Sequence, residues 1–195
     1  KSTIAKTIKE IYNHFEACGY SGTISIEYGQ VIEKPDYTTA ETVPTLKMLR
    51  RMLKAGMKAV CMEVSSQGLD QKRVDALEFD VAIFTNLTHD HLDYHGNFES
   101  YYLAKKRLFS LIKTHGCAII NVDDPYGARL YNEVNQRKYS YSIEREADYQ
   151  AKDLVIKATQ TQFNLIVLNQ SYPIVTNFVS SFNISNLLAI IASLH

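Results

Sequence analysis

Several residue types and patterns are scarce in this sequence, and each scarcity excludes a class of protein. The chain has 195 residues with no Trp, three Cys and four Pro, and its 21 Lys and Arg balance its 21 Asp and Glu. A net charge of zero argues against a broad surface for nucleic acid or anionic lipid, because both select basic residues. No apolar run reaches the roughly 18 residues that span a bilayer. We therefore expect no nucleic-acid partner and no membrane insertion.

The cysteines are few and dispersed: Cys18, Cys61 and Cys117 form no CxxC pair. Such a set is typical of reduced thiols rather than a disulfide framework, and no signal-peptide pattern is present, so we expect a cytoplasmic protein. The chain begins at Lys1 without Met and ends at His195 directly after an apolar helical pattern. We expect both ends to be cuts through a larger protein.

The apolar residues alternate between the spacing of strands and that of helices. This alternation predicts an α/β fold, in which βαβ units form a mainly parallel sheet flanked by helices. Thr38 and Glu41 fit a capping box that opens the second helix. After about Tyr139, strand-like runs predict an antiparallel extension with a turn at 169–171. The predicted strands are 24–28, 59–64, 81–84, 117–121, 154–156, 163–167 and 172–175, and the predicted helices are 4–18, 39–53, 69–77, 97–113, 125–134 and 184–194.

Polar side chains follow three of the buried strands, at the ends where ligands of open parallel sheets bind. Glu63 is followed by Ser65 and Ser66, another strand runs into 121–124, and the third leads to 89–95. Segment 89–95 holds three of the six His together with two Asp. Imidazole and carboxylate at this density ligate divalent metals or transfer protons. The alternative is a solvated loop in which these side chains cap turns.

Lys105 is drawn into an apolar stripe of the helix predicted over 97–113. Phe98, Tyr101, Leu108 and Ile112 stand at −7, −4, +3 and +7 from it. Burial disfavours the ammonium, and a neutral amine can take up carbon dioxide to form a carbamate, an anionic oxygen ligand for a hard cation. The alternative is a snorkelling lysine whose stem packs while its head reaches water.

Lys1, Ser2 and Thr3 stand at the head of the first predicted helix. Phosphate binding at a helix N-terminus needs free N–H groups, a lysine and a hydroxyl for magnesium. Lys1 and Ser2 match the last two positions of the GxxxxGK[ST] loop, whose glycine-rich part is absent here. The alternative is an ordinary N-cap at Ser2.

One resemblance concerns the histidine segment alone. Residues 88–93 resemble the HxHxDH zinc signature of metallo-β-lactamase-type hydrolases, but Tyr94 interrupts the spacing, and only His115 and His195 follow as further histidines. A zinc hydrolase is therefore an alternative rather than the first interpretation.

A second resemblance, to the Mur ligase family, covers almost the whole chain. Several ordered motifs carry it: TT at 38–39, MEVSSQGLDQKRV at 62–74, FTNLTHDHLDYHG at 84–96, AKKRLF at 104–109, NVDDP at 121–125 and FNISN at 182–186. Within the family, the motifs resemble the members that add the third amino acid of the peptidoglycan stem. The resemblance implies a P-loop-NTPase-like central ATP-binding domain.

That likeness implies an ATP-dependent amide-bond ligase of cell-wall biogenesis. It would phosphorylate the terminal carboxylate of UDP-MurNAc-dipeptide, and the amine of an amino acid would attack the acyl phosphate. Residues 1–195 would be the central domain of a monomer, truncated at the phosphate loop and without the N- and C-terminal domains. The alternatives are a folylpolyglutamate or poly-γ-glutamate ligase of the same superfamily and a non-catalytic nucleotide-binding fragment.

The resemblance also assigns roles to individual residues. Lys1 would hold the β- and γ-phosphates of ATP beside Ser2 and Thr3. Magnesium is the implied metal and manganese a second candidate, because imidazole is unusual in a magnesium shell. Two metal ions are implied: Ser2 would hold one magnesium, and Glu63 and His91 would bind magnesium, with Lys105 as its carbamate supporting the second metal. The implied catalytic residues are Lys1, Glu63, His91 and Lys105. The implied substrate positions are Thr38, Thr39, Ser65, Gln71 and Arg73, and Asn183 and Asn186 would lie near adenine.

Two departures from the family pattern fall beside these positions. Tyr37 stands where Asn is usual before the paired threonines, and Ser180 and Ser181 stand where Gly is usual before the FN segment. The glycine-rich phosphate loop and both flanking domains are also absent. We therefore predict that this chain alone has little or no ligase activity.

Overall fold

A computed structural model describes all 195 residues, which form two compact units. The first unit comprises residues 1–78 and 91–111, and the second comprises 79–90 and 112–195. None of the helices combines the length and apolar character that crossing a bilayer requires.

The first unit contains a four-stranded sheet with helices around it. Its elements are α1 (Ser2–Tyr12), β1 (Cys18–Ser21), β2 (Ile26–Tyr28), β3 (Val31–Glu33), α2 (Thr42–Lys54), β4 (Ala59–Met62), α3 (Ser66–Asp70), α4 (Leu92–His95), α5 (Phe98–Lys106) and a 3-10 helix over Arg107–Leu111. The strand order is β3-β2-β1-β4, in which β1 and β4 are parallel and the other pairs are antiparallel. Tyr28, Met48 and Met52 form a buried cluster between the sheet and α2.

The first helix is shorter than its apolar spacing predicts. Helix α1 ends at Tyr12, and the side chain of Asn13 accepts a hydrogen bond from the backbone N–H of Cys18 at 2.7 Å. Phe15, which continues the helical pattern, is 80% exposed. The prediction of helix up to Cys18 is therefore wrong, because the chain turns after Asn13 so that buried β1 can pair with β4.

The second helix begins later than the predicted capping box. Helix α2 starts at Thr42 after Glu41, and no side-chain hydrogen bond caps it. The Thr38 hydroxyl instead lies 3.0 Å from the hydroxyl of Thr23. The helix ends near Gly56 as predicted, since that residue has a φ of 86°, a left-handed value that suits glycine.

The helix predicted over 97–113 divides into three elements. Asn97 caps α5 by accepting from the N–H of Ser100, α5 ends at Lys106, and the 3-10 helix follows. Ile112 begins a strand, paired with Phe79, that runs through His115 and Gly116, so these two do not form the predicted stop. Of the four apolar residues spaced around Lys105, Phe98 and Tyr101 therefore lie with it on α5, whereas Leu108 lies in the 3-10 helix and Ile112 in β6.

The second unit is a six-stranded sheet with two helices. Its elements are β5 (Phe79–Phe84), β6 (Ile112–Asn121), α6 (Pro125–Glu133), β7 (Lys138–Ser142), β8 (Tyr149–Ile156), β9 (Thr161–Val167), β10 (Gln170–Thr176) and α7 (Ser181–Leu194). Strands β5 to β8 are parallel, and β8 to β10 are antiparallel. The turn between β9 and β10 lies at Leu168 and Asn169, whose positive φ values of 46° and 74° suit a two-residue hairpin.

Asp123 and Asp124, directly after β6, accept hydrogen bonds from backbone N–H groups of neighbouring segments. Asp124 caps α6 by accepting from the N–H groups of Tyr126 and Gly127, and its other oxygen accepts from the N–H of Leu87 at 2.9 Å. Asp123 accepts from the N–H of Ile143 at 2.8 Å. The predicted α/β class, the cap at Asp124 and the antiparallel extension are confirmed.

Candidate active site

Glu63 is a buried carboxylate directly after β4, and its side chain is the centre of the candidate site. The residue is only 3% exposed, so its oxygens need hydrogen-bond partners. Oε1 accepts from the Tyr20 hydroxyl at 2.5 Å and the Thr23 N–H at 3.1 Å. Oε2 accepts from the Ser2 hydroxyl at 3.0 Å and the Thr23 hydroxyl at 3.3 Å. Four donors from α1, β1 and the loop after β1 therefore fix this carboxylate.

The parallel pairing of β1 and β4 explains why these groups meet. Ser21 lies opposite Met62, so both strands end at the same edge, where the N–H of Glu63 donates to the Ser21 carbonyl at 2.8 Å. Burial and the Glu63 carboxylate raise the pKa of Tyr20, which keeps its phenol protonated as a donor. A Cβ on Gly22 would clash with the Glu63 carboxylate and the Tyr20 hydroxyl, so this position requires glycine.

Lys1, Ser2 and Thr3 lie at the N-terminus of α1, beside Glu63. Lys1 occupies the N-cap position without a side-chain cap, and Ser2 uses its hydroxyl to contact Glu63. The alternative of an ordinary N-cap at Ser2 is therefore wrong. Lys1 and Thr3 are exposed, and a helix N-terminus such as that of α1 favours anions.

The histidine segment contains a one-turn helix that starts after His91. His91 is exposed and has a left-handed backbone, with φ 62° and ψ 17°. Its carbonyl accepts from the N–H groups of Tyr94 at 3.2 Å and His95 at 3.0 Å. A left-handed non-glycine residue carries strain, and such strain is concentrated at functional sites.

Tyr101 of α5 connects His91, His95 and Lys105. Its ring is buried, with 4% of the residue exposed. His95 stacks on it at 4.9 Å between ring centroids and 12° between planes, and His91 meets it edge-on at 6.1 Å. The Lys105 ammonium lies 4.9 Å from the same centroid. The structure thus brings His91 and Lys105 around one aromatic ring, and Lys105 is half-buried.

Electrostatic interactions also act within this aromatic cluster. Burial lowers the pKa of His95, Asp70 raises it, and His91 and Lys105 lower it. His91, His95 and Lys105 therefore belong to one electrostatic neighbourhood of the first unit.

The donor atoms near Glu63 suit a hard cation. The Ser2 hydroxyl and the Glu63 carboxylate lie 3.0 Å apart. Both offer oxygen atoms, which are the ligands that magnesium prefers. No three side chains of His, Cys, Asp or Glu in the chain converge closely enough to hold a metal ion. The residues thus fit magnesium by chemistry at Ser2 and Glu63, while the larger ligand set stays a prediction, and a zinc site built on three such side chains has no support.

The five predicted substrate positions lie together in the first unit. The Thr39 hydroxyl donates to the Glu63 carbonyl at 3.1 Å and accepts from the Ser65 N–H at 2.9 Å. Arg73 donates to the Thr39 carbonyl at 2.8 Å. Hydrogen bonds also join Thr38 to Thr23 and Arg73 to Gln71. These positions form one hydrogen-bonded network that reaches Glu63.

Ser65 and the departure at Tyr37 complete this network. Ser65 caps α3 by accepting from the N–H of Gly68 at 3.1 Å. Tyr37 is 63% exposed, and the guanidinium of Arg73 lies 5.4 Å from its ring centroid, a cation–π contact. The Tyr37 ring therefore directly contacts Arg73, one of the residues predicted to bind the substrate.

Asn183 and Asn186 lie in the second unit, in the first half of α7. Both are half-buried, and Asn183 donates to the Val179 carbonyl at 3.0 Å. Ser180 at the N-cap has a positive φ of 102°, in the region where the family pattern has glycine. The role of both asparagines near adenine stays a prediction.

The sequence interpretation missed several residues that build the site. Tyr20 and Thr23 hold Glu63, and Tyr101 contacts three side chains of the cluster. The available signal was weak: the pairing of β1 with β4 was needed to place Tyr20 beside Glu63. For Tyr101 only part was missed: the apolar stripe identified it as a neighbour of Lys105 but not as a contact of His91 and His95.

Comparisons with known proteins match this arrangement to one family. A sequence profile of the Mur ligase middle domain matches residues 1–194. The UDP-N-acetylmuramoyl-L-alanyl-D-glutamate--2,6-diaminopimelate ligase of Chlamydia pneumoniae is 37% identical over 196 residues, which cover 100% of this chain and 41% of that protein. A solved structure of a ligase with the same name superimposes with a TM-score of 0.87 at 30% identity, covering 100% of this chain and 41% of the other. The apo form of L. casei FPGS superimposes with a TM-score of 0.66 at 13% identity, covering 99% and 54%, which is a likeness of fold alone.

These matches agree with the ordered motifs and with the observed topology. The profile extends over nearly the whole chain, and the chain spans 41% of the length of the chlamydial relative. The resemblance identified from the motifs is confirmed, and the chain belongs to the Mur ligase family as a middle domain.

Proposed function

We propose that the chain is the central ATP-binding domain of a longer ligase that adds the third amino acid to UDP-MurNAc-dipeptide in peptidoglycan synthesis. The observation that carries this proposal is a hydrogen-bonded path from Ser2 through Glu63 and Thr23 to Thr38. It joins the predicted phosphate position to a predicted substrate position. The chain's 41% share of the chlamydial relative supports the presence of further domains in the complete protein.

ATP and magnesium are the proposed cofactors. Lys1 and the N–H groups at the start of α1 would hold the β- and γ-phosphates, with Ser2 and Thr3 beside them, because a helix N-terminus favours anions. Ser2 and Glu63 would hold one magnesium ion, and Glu63 and His91 would bind magnesium with the Lys105 carbamate supporting the second ion. Asn183 and Asn186 would contact adenine. Bound magnesium would neutralise charge on the transferring phosphoryl group.

We propose that Lys105 acts as a carbamate. The ammonium first gives up one proton. The neutral amine then attacks carbon dioxide, the N–C bond forms as one C=O π bond opens, and a second proton leaves the nitrogen, so a cation becomes an anionic oxygen ligand. Its half-buried position limits hydration of the ammonium and so disfavours the charged form, whereas the Tyr101 ring 4.9 Å away attracts the cation; formation of the carbamate removes the neutral amine from this balance. An oxygen ligand also offsets the poor preference of magnesium for the His91 imidazole, and manganese is the alternative cation.

The residues around Arg73 would orient the peptide carboxylate. Arg73 is cationic and already positioned by the Thr39 carbonyl and the Gln71 side chain, so it can pair with an acidic substrate group. One carboxylate oxygen attacks the γ-phosphorus while the bond to ADP breaks, giving an acyl phosphate. The amine then attacks the acyl carbon, phosphate leaves with that oxygen, and the amine loses a proton.

The relatives guide the choice of amine. The protein from Chlamydia pneumoniae is named as a 2,6-diaminopimelate ligase, so diaminopimelate is the first amine to test and lysine the second. The folylpolyglutamate type of ligase is less favoured, because the likeness to L. casei FPGS at 13% identity concerns fold alone.

The test is ADP release and product mass with the full-length protein that carries this chain. UDP-MurNAc-dipeptide, ATP, Mg²⁺ and an amine are supplied together and then omitted one at a time. We expect a UDP-MurNAc-tripeptide and equimolar ADP only in the complete mixture. Glutamylation of a folate with no tripeptide would contradict the proposal. The 195-residue chain alone is expected to form little or no tripeptide.

A further inference from the structure

Tyr94 links two parts of the first unit through a single hydroxyl. It lies in α4, three residues after His91, and is 40% exposed. Its hydroxyl accepts from Nε2 of Gln71 at 3.0 Å and donates to Oδ2 of Asp70 at 2.9 Å. The hydroxyl thus joins α4 to the C-terminal end of α3, where Gln71 is the C-cap residue.

The orientation of Gln71 decides the hydrogen bonds of Arg73. Oε1 of Gln71 accepts from Nε of Arg73 at 2.9 Å and from Nη2 at 2.6 Å. A glutamine amide has one accepting end and one donating end. When Tyr94 accepts from Nε2, it directs Oε1 towards the guanidinium. The third contact of Arg73, to the Thr39 carbonyl at 2.8 Å, completes its placement.

The ring of Tyr94 reaches the other side of the site. It meets the His95 ring edge-on at 4.8 Å, and His95 contacts the Ser66 hydroxyl through Nε2 at 2.9 Å. The N–H groups of Tyr94 and His95 both bond the His91 carbonyl. The Tyr94 side chain therefore contacts Gln71 through its hydroxyl and His95 through its ring.

We infer that Tyr94 is a positioning residue that fixes Gln71, and through it Arg73, for the acidic peptide substrate. The inference deepens the proposed ligase function and rests on it. Tyr94 has no hydrogen bond or ring contact with Lys1 or Ser2, which are the proposed phosphate residues. Its effect is therefore specific to UDP-MurNAc-dipeptide and spares ATP.

The first test is Tyr94→Phe in the full-length protein, which removes the hydroxyl and keeps the ring. The variant loses the hydrogen bonds to Gln71 and Asp70, of which the one from Gln71 orients Arg73. From the loss of that bond we expect the KM for UDP-MurNAc-dipeptide to rise about three- to tenfold. Both kcat and the KM for ATP should stay within about twofold. The matched control is Tyr172→Phe, because Tyr172 is 45% exposed and donates to the Gln170 side chain in the second unit; its kinetic constants should match the wild type.

A double variant separates positioning from a general structural role. If Tyr94 acts through Gln71, then adding Tyr94→Phe to Gln71→Ala should raise the KM for the dipeptide no further. Three results would overturn the inference: an unchanged KM for the dipeptide in Tyr94→Phe, an equal rise in the KM for ATP, or fully additive effects of the two substitutions. If the wild type still ligates, each of these results leaves the proposed function standing. Absence of wild-type ligation with any amine would overturn the proposed function and this inference together.

Discussion

The ion pairs of Glu27 should stabilise the helix that begins with the proposed phosphate residues. Oε1 of Glu27 lies 2.8 Å from the Lys6 ammonium, and Oε2 lies 3.2 Å from that of Lys9. Both lysines belong to α1, whereas Glu27 belongs to β2. Burial raises the pKa of Glu27, but hydrogen bonds from Lys6, Ser25 and Lys9 outweigh it and lower the pKa from its ordinary 4.5 to about 2.

The magnitude follows from this difference in pKa. At about 1.4 kcal/mol per pKa unit, the charged form of Glu27 contributes about 3 kcal/mol to folding at pH 7. The Glu27 side chain is 17% exposed and those of Lys6 and Lys9 are 30% and 20% exposed, so solvent screens these pairs only in part. Glutamine keeps the size and one acceptor oxygen, so we expect Glu27→Gln to destabilise α1 by about 2–3 kcal/mol.

The sign of the pH dependence is also determined. Because the pKa is lower in the folded state, the stabilisation is complete above pH 4.5 and is lost as the pH falls towards 2. At pH 3, the difference between wild type and Glu27→Gln should shrink to about 1 kcal/mol. Hydrogen exchange of peptides covering α1, corrected for intrinsic rates, measures both values. The exposed Glu16 supplies the control, Glu16→Gln.

Two results would refute this reasoning. One is an equal loss of protection in Glu27→Gln and Glu16→Gln at pH 7, which would mean that the ion pairs contribute nothing specific. The other is a difference between wild type and Glu27→Gln that stays constant from pH 7 to pH 3, which would exclude titration of Glu27 as its source.

Two further predictions concern the site itself. Lys105→Ala should abolish tripeptide formation by the full-length protein, and chloride or short carboxylic acids should partly restore it by occupying the vacated anion position. The control is Lys54→Ala, in the last turn of α2, which should keep full activity. A fully active Lys105→Ala would contradict the proposed role of Lys105. Gly22→Ala should reduce kcat at least about 100-fold by displacing Glu63. At Gly29 a Cβ meets nothing within 4 Å, but φ is 54°, so Gly29→Ala should lose about 1–2 kcal/mol of stability and remain active. Equal activities in these two alanine variants would contradict the steric argument.

The elements best predicted from sequence are those whose local signals and tertiary packing agree. Residues 81–84 of β5 and 117–121 of β6 are short apolar runs, and Asp124 with Pro125 marks the start of α6 through a cap and a first-turn proline. The antiparallel extension was also predictable, because β8, β9 and β10 follow one another closely along the chain.

The errors occur where long-range pairing overrides a helical pattern. Phe15 continues the periodicity of α1, yet it is 80% exposed, because residues 18–21 form a strand with β4 instead. Ile112 likewise fits a helix by spacing but pairs with Phe79. No local residue choice distinguishes these outcomes, since the partner strand lies tens of residues away.

In the candidate site, too, local sequence motifs predict individual residues, whereas their contacts depend on long-range pairing. Family motifs predict Glu63, His91 and Lys105 as site residues, and the neighbours that hold each of them in the structure are residues that the motifs do not emphasise. Tyr20 and Glu63 are 43 residues apart in sequence and meet only because β1 and β4 end together. The stacking of His95 on Tyr101 depends similarly on the packing of α4 against α5.

The central claim is that this site transfers a phosphoryl group to a peptide carboxylate. The most direct measurement uses UDP-MurNAc-dipeptide labelled with ¹⁸O in its terminal carboxylate, with the full-length protein, ATP, Mg²⁺ and diaminopimelate. We predict that each phosphate released carries one ¹⁸O atom from the carboxylate. Unlabelled phosphate formed together with the tripeptide would contradict the account.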